Sequence, residues 1–359
     1  MKKLRKILSI TICLVFTFVF FTTTVSAEEN KQTTQTTITS EKTAYIDSIL
    51  KDYLYLEELS PSDDFYISNP YQINYFADNS VDTDREIYFV FNSNRVIGMI
   101  TVGYYNNEYT SKYSRLSNDV ITDLYADKTP FALGYEDDDL YVYYNNQLVA
   151  LLNDATTDID LSAKLITAQV IVKERSYVFF QSRSTTPTTN ILSVSHVANA
   201  STSSGKGLCW AANIAMKVNY HRNYVTTLSA LDIYNILNNR YSGTPIGTPL
   251  WIKRGYDLFN INYTYTDSGL TSSQVVNAIN NNKPIDIGVK NDTSAHGVLI
   301  VGYSVYINRA IYVINDPNIN TGNVYQDVSY AAMNYPHLFT YIGDDTYDDW
   351  YESYYYIGG

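Results

Sequence analysis

A segment rich in glycine and serine changes abruptly into an apolar, helix-favouring run at Cys209. The stretch Gly205–Met216 reads Gly-Lys-Gly-Leu-Cys-Trp-Ala-Ala-Asn-Ile-Ala-Met, and Ile214 and Val218 continue an apolar stripe at helical spacing. A cysteine in the first turn of such a helix lies among unpaired backbone N–H groups, near the positive end of the helix dipole. These surroundings favour the thiolate, which is the nucleophilic form of cysteine. A structural cysteine that packs as a small apolar residue is the alternative reading.

The first residues have the features of a secretory signal peptide. Basic residues precede Ile7–Phe21, an apolar stretch without charge, and Val25-Ser26-Ala27 has the small-x-small pattern of a cleavage site. We therefore predict that residues 1–27 are removed during export of the Gram-positive type, and that the protein is secreted and extracellular. No second stretch of membrane length follows, so no membrane attachment is expected after this removal.

The number of cysteines supports the hypothesis that Cys209 is a nucleophile. The chain has 2 cysteines, and Cys13 lies within the apolar part of the predicted signal peptide. The mature protein then keeps only Cys209. Because exported proteins usually pair their cysteines in disulfides, a lone cysteine favours a free, reactive thiol.

The charge distribution excludes some classes of partner. The net charge is −12 at pH 7, and residues 28–189 carry most of the acidic excess, with 25 acidic and 12 basic residues. Residues 190–359 are closer to balance, with 12 acidic and 9 basic residues. Such a chain has no basic groove for nucleic acid, and an anionic membrane surface would repel it. Neither is expected as a partner.

The pattern of the exported part, about 330 residues long, predicts two domains. After a polar, disordered segment at 28–40, residues 41–180 begin with a helix at Glu41–Leu59 and continue as short strands, which indicates a small α+β or mostly β domain. A polar linker follows at 181–190. In residues 191–359 several helices come first and an antiparallel sheet follows, so the fold class of the whole chain is predicted as α+β.

The sequence of the second half predicts individual helices and strands. They are helices at Cys209–Tyr220, Thr227–Asn238, Thr248–Asp257 and after the capping box at Thr271, strands at Pro284–Val289, His296–Tyr303 and Ala310–Ile314, and a tyrosine-rich strand pair within Leu338–Ile357.

A thiolate nucleophile needs a base, and the base needs a group that orients it. Of the 4 histidines, His296 stands at the mouth of an apolar strand, where an imidazole can be aimed. The other three are read as structural or surface residues. If residues 297–314 form an antiparallel hairpin, its open end brings His296 close to Asn315 and Asp316. Either residue could hold the imidazole, and an Asp-Pro sequence is also typical of a simple turn.

Three motifs in order resemble a known family. Cys209-Trp210-Ala211-Ala212, the strand that begins at His296-Gly297-Val298, and Asn315-Asp316-Pro317 are similar to papain-like cysteine peptidases of bacterial type, such as the staphopains. The resemblance covers residues 190–359. It implies a papain-like catalytic domain, in which a helical subdomain that begins with the cysteine helix packs on an antiparallel β half-barrel. It also implies a preceding inhibitory pro-domain, here residues 41–180.

The resemblance assigns roles to individual residues. Cys209 would be the nucleophile, His296 would share and deliver the proton, and Asp316 would orient the imidazole. The family usually has a glutamine about six residues before the nucleophile, where its amide helps to form the oxyanion hole. That position is Ser203 here, so the backbone N–H of Cys209 is left with Ser203, Ser204 or Asn199 as candidate second donors. No cofactor and no metal are expected.

We therefore predict a secreted thiol protease, a hydrolase that cleaves peptide bonds in protein or peptide substrates. It is expected to be made as a zymogen, with its own N-terminal domain as intramolecular inhibitor. Two alternatives stay open at this point. One is a peptidoglycan amidase or endopeptidase that acts on the cell wall, and the other is a non-catalytic surface protein with a degenerate protease fold, which the missing glutamine would suit.

Overall fold

The fold was analysed in a computed structural model of the chain. It describes residues 41–59, 65–75, 80–105, 107–116, 120–127, 131–136, 139–144, 147–151, 175–177, 187–203, 205, 207–222, 227–319, 322–342 and 346–355. The chain divides into two units after Glu58. The predicted signal peptide, the segment at 28–40 and most of the linker lie outside the described residues.

The described part of the first unit contains helix α1, residues 41–56. The sequence predicts this helix at Glu41–Leu59, and its start agrees. Among the described residues, no helix combines the length and the apolar character needed to cross a membrane.

Among the described residues of the second unit, nine strands and one helix precede the predicted linker. They are β1 (Phe65–Ile67), β2 (Tyr71–Tyr75), β3 (Ser80–Asn92), β4 (Arg95–Tyr105), β5 (Glu108–Arg115), α2 (Val120–Ala126), β6 (Ala132–Glu136), β7 (Asp139–Tyr144), β8 (Gln147–Leu151) and β9 (Arg175–Tyr177). Turns at Ser93 and Asn107, both with positive φ, connect β3 to β4 and β4 to β5. The short strands that the sequence predicts in this part of the chain agree with this description.

The remaining elements alternate in the predicted order, with helices first. They are β10 (Thr188–Ile191), α3 (Cys209–Arg222), α4 (Ala230–Arg240), α5 (Pro249–Leu258), β11 (Thr264–Thr266), α6 (Ser272–Asn280), β12 (Ile285–Lys290), β13 (Ala295–Val305), β14 (Arg309–Asn315), β15 (Val324–Ser329), α7 (Tyr330–Asn334), β16 (Tyr341–Ile342), β17 (Thr346–Tyr347) and β18 (Asp349–Tyr355). The capping box predicted at Thr271 is present, since Gln274 accepts from the Thr271 backbone N–H.

The described strands of the second unit, apart from the β16–β17 pair, form one 16-stranded sheet. Its main path runs β11-β18-β12-β13-β14-β15-β5-β4-β3-β2-β6-β7-β8, so strands from before and after the predicted linker share one sheet through the β15–β5 pair. The pairs are antiparallel except β2 with β6, which is parallel. The result is a mixed fold with helices beside a sheet dominated by antiparallel pairs, consistent with the predicted α+β class.

Two apolar clusters flank the sheet near its centre. One contains alternate residues of β12, β13 and β14 together with α6 and the chain around Trp350. The other holds α3 against α4 and α5, with Tyr354 of β18 at its edge. Because α3 is the central member of this second cluster, its first residue has a fixed position relative to the strands.

The tail differs from the prediction. Only β16 and β17 form the expected strand pair, with Tyr341 opposite Tyr347. β18 instead pairs with β12 on one side and β11 on the other. The local sequence is strand-like, but a strand's partner depends on long-range packing that alternation does not encode. The last residues of the predicted linker also differ, because they form β10, which pairs with β13.

The close approach of β10 to β13 gives a test of the packing. A Cβ atom at Gly302 would lie 2.9 Å from the carbonyl oxygen of Asn190 and 3.0 Å from the Cα of Ile191, both backbone atoms. We expect Gly302→Ala to lower the free energy of unfolding by about 1–3 kcal/mol, because β10 must move. Gly207→Ala is the matched control, since the nearest atom there is 3.7 Å away. Equal urea midpoints for the two variants would contradict the close approach.

Candidate active site

Cys209 is the first residue of α3, and a closed loop leads into it. Ser201 and Gly207 form an isolated antiparallel bridge that closes this loop. The N–H groups of Ala211 and Ala212 both donate to the carbonyl of Leu208, which begins the helix at the cysteine. Cys209 is a free thiol of intermediate exposure. A partly exposed cysteine at a helix N-terminus is in a position that reactive cysteines commonly occupy.

His296 lies near the start of β13, and its imidazole is held by Asp316. The His296 Nε2 and Asp316 Oδ1 atoms are 2.8 Å apart, and both side chains are buried. Cys209 lies near enough to the same imidazole to contribute to its electrostatics. Because Nε2 faces the carboxylate, Nδ1 is the nitrogen left for the sulfur. The open end of the β13–β14 hairpin thus brings His296 and Asp316 together, and the start of α3 places Cys209 beside them.

The electrostatics of the pair favour the ionised forms. Burial lowers the pKa of His296, but the Asp316 carboxylate, its hydrogen bond to the imidazole and the nearby Cys209 outweigh burial and raise this pKa well above its ordinary value. Burial raises the pKa of Asp316, whereas the charges of His296 and Lys112 and the hydrogen bond from Tyr341 lower it overall. A thiol beside such an imidazole can transfer its proton and form a thiolate–imidazolium pair.

The Asp316 carboxylate is fixed from two further sides. The Tyr341 hydroxyl donates to Asp316 Oδ2 at 2.5 Å, and the Asn318 backbone N–H donates to Oδ1 at 2.9 Å. His196 contacts the Asp316 carbonyl oxygen through Nε2 at 2.8 Å. The Tyr347 ring stacks on the imidazole of His296 with centroids 5.7 Å apart. Each carboxylate oxygen is therefore satisfied, and the imidazole has little freedom to rotate.

Asn199 ties the two loops of the site to each other. Its Oδ1 accepts from the backbone N–H groups of Ala200 and Leu208, at 2.8 and 2.9 Å, just before the cysteine. Its Nδ2 donates to Asn318 Oδ1 at 2.7 Å, beyond Asp316. The backbone N–H of Asn199 also donates to the Pro317 carbonyl. The position of Cys209 is thus coupled to that of the Asp316 carboxylate.

The other predicted site residues have different surroundings. Asn315, the alternative to Asp316, turns away from the imidazole and donates to the Val194 carbonyl at 3.0 Å. The Asn199 side chain is committed to the loop contacts, which weakens it as an oxyanion donor. Ser203 is exposed at the turn of the loop, and the contacts that join Cys209, His296 and Asp316 do not include it. Ser204 lies outside the described residues.

Several residues of the site have no distinct local signal in the sequence. Tyr341 and Tyr347 belong to a tail with many tyrosines, so nothing sets them apart before the fold is known. The sequence predicts His196 to be a structural or surface residue. Its imidazole does contact Asp316, but at the backbone carbonyl of Asp316 and not at the carboxylate. Within the described residues, no group of three His, Cys, Asp or Glu side chains is arranged to hold a metal ion.

These residues also lie within a stretch that is similar to known proteins. Residues 191–345 match the model of the Peptidase_C39 like family. This is a family of cysteine peptidases, so the match supports a cysteine peptidase, a hydrolase. It covers Cys209, His296 and Asp316 but ends before β18. No curated protein matches the chain significantly. The finer likeness to staphopains stays a prediction.

Behind Cys209, α3 presents a buried polar face. Asn213, one turn after Cys209, donates from Nδ2 to Asp286 Oδ1 at 2.7 Å. The Tyr256 hydroxyl donates to the other carboxylate oxygen at 2.5 Å. One turn further, Lys217 donates to the Tyr354 carbonyl at 3.1 Å. These contacts fix the rotation of α3 about its axis, and therefore the direction of the cysteine.

Two carboxyl groups in this network have raised pKa values. Burial, only partly offset by Lys217, raises the pKa of Asp286 to about 6. Burial and the charge of Asp286 raise the pKa of Glu352 to about 7. Glu352 lies over Gly288, where a Cβ atom would come within 2.7 Å of its Oε1. The folded protein therefore favours the protonated carboxyls.

This linkage predicts a pH dependence of stability. The unfolded chain ionises Glu352 near its ordinary pKa of 4.5 and the folded protein near 7, so stability should fall as the pH rises between these values. In Glu352→Gln this part of the fall should disappear, and the melting temperature should decline less across the interval. Glu108→Gln, at an exposed position, is the control. A decline in Glu352→Gln as steep as in the wild type would contradict the buried-carboxyl account.

Proposed function

We propose that the protein is a cysteine endopeptidase that hydrolyses peptide bonds through Cys209, His296 and Asp316. The observation that carries the proposal is the hydrogen bond between Asp316 and His296, beside a thiol at a helix N-terminus that contributes to the electrostatics of the same imidazole. Nucleophile, base and orienting group lie in the relation that covalent catalysis by a thiol requires. The family match over residues 191–345 supports the same reaction class.

The proposed reaction begins from the thiolate–imidazolium pair. Cys209 Sγ attacks the peptide carbonyl carbon, and the carbonyl electrons move onto oxygen. The His296 imidazolium then gives its Nδ1 proton to the leaving amine as the C–N bond breaks, which leaves a thioester on the cysteine. A water molecule attacks the thioester while the imidazole takes its proton, and the thiolate leaves with the acid product released. Asp316 keeps the ring oriented throughout and stabilises the imidazolium.

One oxyanion donor is provided by the helix itself. The backbone N–H of Cys209 lies in the first turn of α3, where helical N–H groups have no partner within the helix. A second donor from Ser203 stays a proposal. Loss of one donor commonly costs about 10²–10³ in rate, so a slow enzyme is expected if Ser203 does not contribute.

The secreted, zymogen form of this enzyme is also part of the proposal. The signal-peptide pattern of residues 1–27 supports secretion, and protein or peptide substrates follow from the reaction. The N-terminal domain predicted at 41–180 would restrain activity until the linker at 181–190 is cut. This domain has an excess of acidic residues, whereas residues 190–359 are nearly balanced in charge. Part of the attraction between the two is therefore electrostatic, and salt should weaken it.

The first test concerns the nucleophile. Cys209→Ala removes the sulfur and little else, so hydrolysis of labelled casein should fall by at least about 10³-fold while the melting temperature stays close to that of the wild type. The measurement is initial rate at matched concentrations of folded protein. Unchanged hydrolysis by this variant would contradict the proposal that the protein is a cysteine peptidase.

The second test separates the two residues at the end of β14. Asp316→Ala removes the group that bonds His296, so kcat should fall by roughly 10²-fold or more. Asn315→Ala removes only the contact to Val194 and serves as the matched control, with a loss of stability of about 1 kcal/mol and little change in kcat. The reverse ranking would move the orienting role to Asn315.

The third test concerns the zymogen form. A cleavage site for a specific protease is placed within residues 181–187, and casein hydrolysis is followed before and after the cut at several salt concentrations. We expect hydrolysis to rise after the cut, and to rise more at high ionic strength. If cutting changes nothing at any ionic strength, the N-terminal domain is not an inhibitor.

A further inference from the structure

Strand β5 joins the N-terminal strands to the region that matches the peptidase family model, which contains the candidate triad of Cys209, His296 and Asp316. It pairs with β15 in an antiparallel register that places Lys112 opposite Gln326 and Ser114 opposite Val324. Lys112 is only 3% exposed and Gln326 is fully buried. Residues that oppose each other in an antiparallel pair point to the same face of the sheet. Lys112 therefore points to the face of Gln326.

Gln326 connects β5 to the residues around the carboxylate. Its Nε2 donates to the Thr110 hydroxyl and to the Ser111 carbonyl of β5, each at 3.1 Å. Its Oε1 accepts from the backbone N–H of Ile342 at 3.1 Å. Ile342 follows Tyr341, whose hydroxyl donates to Asp316. A short chain of hydrogen bonds and one peptide link thus runs from β5 to the candidate triad.

The charge of Lys112 reaches the same carboxylate. Its positive charge is one of the causes that lower the pKa of Asp316. Because the lysine is buried, solvent and salt screen this interaction much less than a surface contact. A cation near Asp316 also disfavours a second cation, the imidazolium of His296.

We propose that Lys112 of β5 is a positioning residue of the peptidase. It acts on His296 through Asp316 and makes the thiolate–imidazolium pair less stable. The inference rests on the proposed function and names a contact by which the N-terminal strands regulate it. The register of β5 and β15, the burial of Lys112 and the Gln326 contacts together carry it.

The other groups around the pair determine the expected direction. Asp316 faces Tyr341 and contacts His196 through its carbonyl, and His296 faces Cys209 and the Tyr347 ring. Asp327 follows Gln326 and points to the opposite face of β15 by strand alternation. These groups stay in place when Lys112 is neutralised. The imidazolium should then hold its proton to a higher pH.

The test is the pH dependence of Cys209 alkylation by iodoacetamide, measured on the full chain. A thiolate–imidazolium pair gives a rate that is appreciable at acid pH and changes again where the imidazolium loses its proton. In Lys112→Met this second change should move upward by about half a pH unit. Lys112→Arg keeps the charge, and Arg95→Met removes a charge at an exposed position, so both should retain the wild-type profile.

The outcomes separate the two proposals. A folded Lys112→Met with an unchanged profile overturns the role of Lys112 and leaves the peptidase proposal intact. A wild-type profile with a single step near the pKa of an ordinary thiol overturns both proposals, because Cys209 and His296 then form no ion pair on which Lys112 could act. If thermal melting shows that Lys112→Met does not fold, Lys112→Gln takes its place in the same comparison, and an unchanged profile overturns the inference equally.

Discussion

The hydrogen bond between His296 and Asp316 is the interaction on which the rest of the site depends. Its two atoms are 2.8 Å apart, and both side chains are withdrawn from solvent. A buried carboxylate is costly unless charge and hydrogen bonds compensate it. Here the imidazole, the Tyr341 hydroxyl and the Asn318 N–H supply that compensation. Removing any one of them leaves a buried charge under-satisfied, so the carboxylate holds its neighbours in place as much as they hold it.

The fold delivers these groups from distant parts of the chain. The β13–β14 hairpin supplies the imidazole and the carboxylate, α3 supplies the thiol, and Asn199 connects the loop before α3 with the loop after β14. The buried contacts of Asn213 and Lys217 set the rotation of α3. Gln326 then links this assembly to β5. The β15–β5 pair of the sheet is therefore connected to the Asp316 carboxylate, through the Gln326 contact to Ile342 and the hydroxyl of the neighbouring Tyr341.

Local sequence signals predicted the parts of this arrangement that depend on local physics. Periodicity and capping predict the start of α3 at Cys209, the capping box at Thr271 and the two strands of the β13–β14 hairpin. The contributions of Tyr341, β5 and β18 could not be predicted, because each depends on which strand lies beside which. β5 alternates tyrosine with polar residues and shows no apolar face, so its buried pairing with β15 leaves no pattern in the sequence. The same holds for Lys112, which by its type alone would be placed at the surface.

The central claim is that Cys209 forms a covalent acyl intermediate with the help of His296. It is tested most directly by acid quenching during turnover of a peptide ester, followed by mass spectrometry of the fragment that contains Cys209. The account predicts that this fragment carries the mass of the acyl group, and that the adduct is missing in His296→Ala quenched at the same time. Turnover by the wild type with an unmodified Cys209, or with the acyl group on another residue, would contradict it.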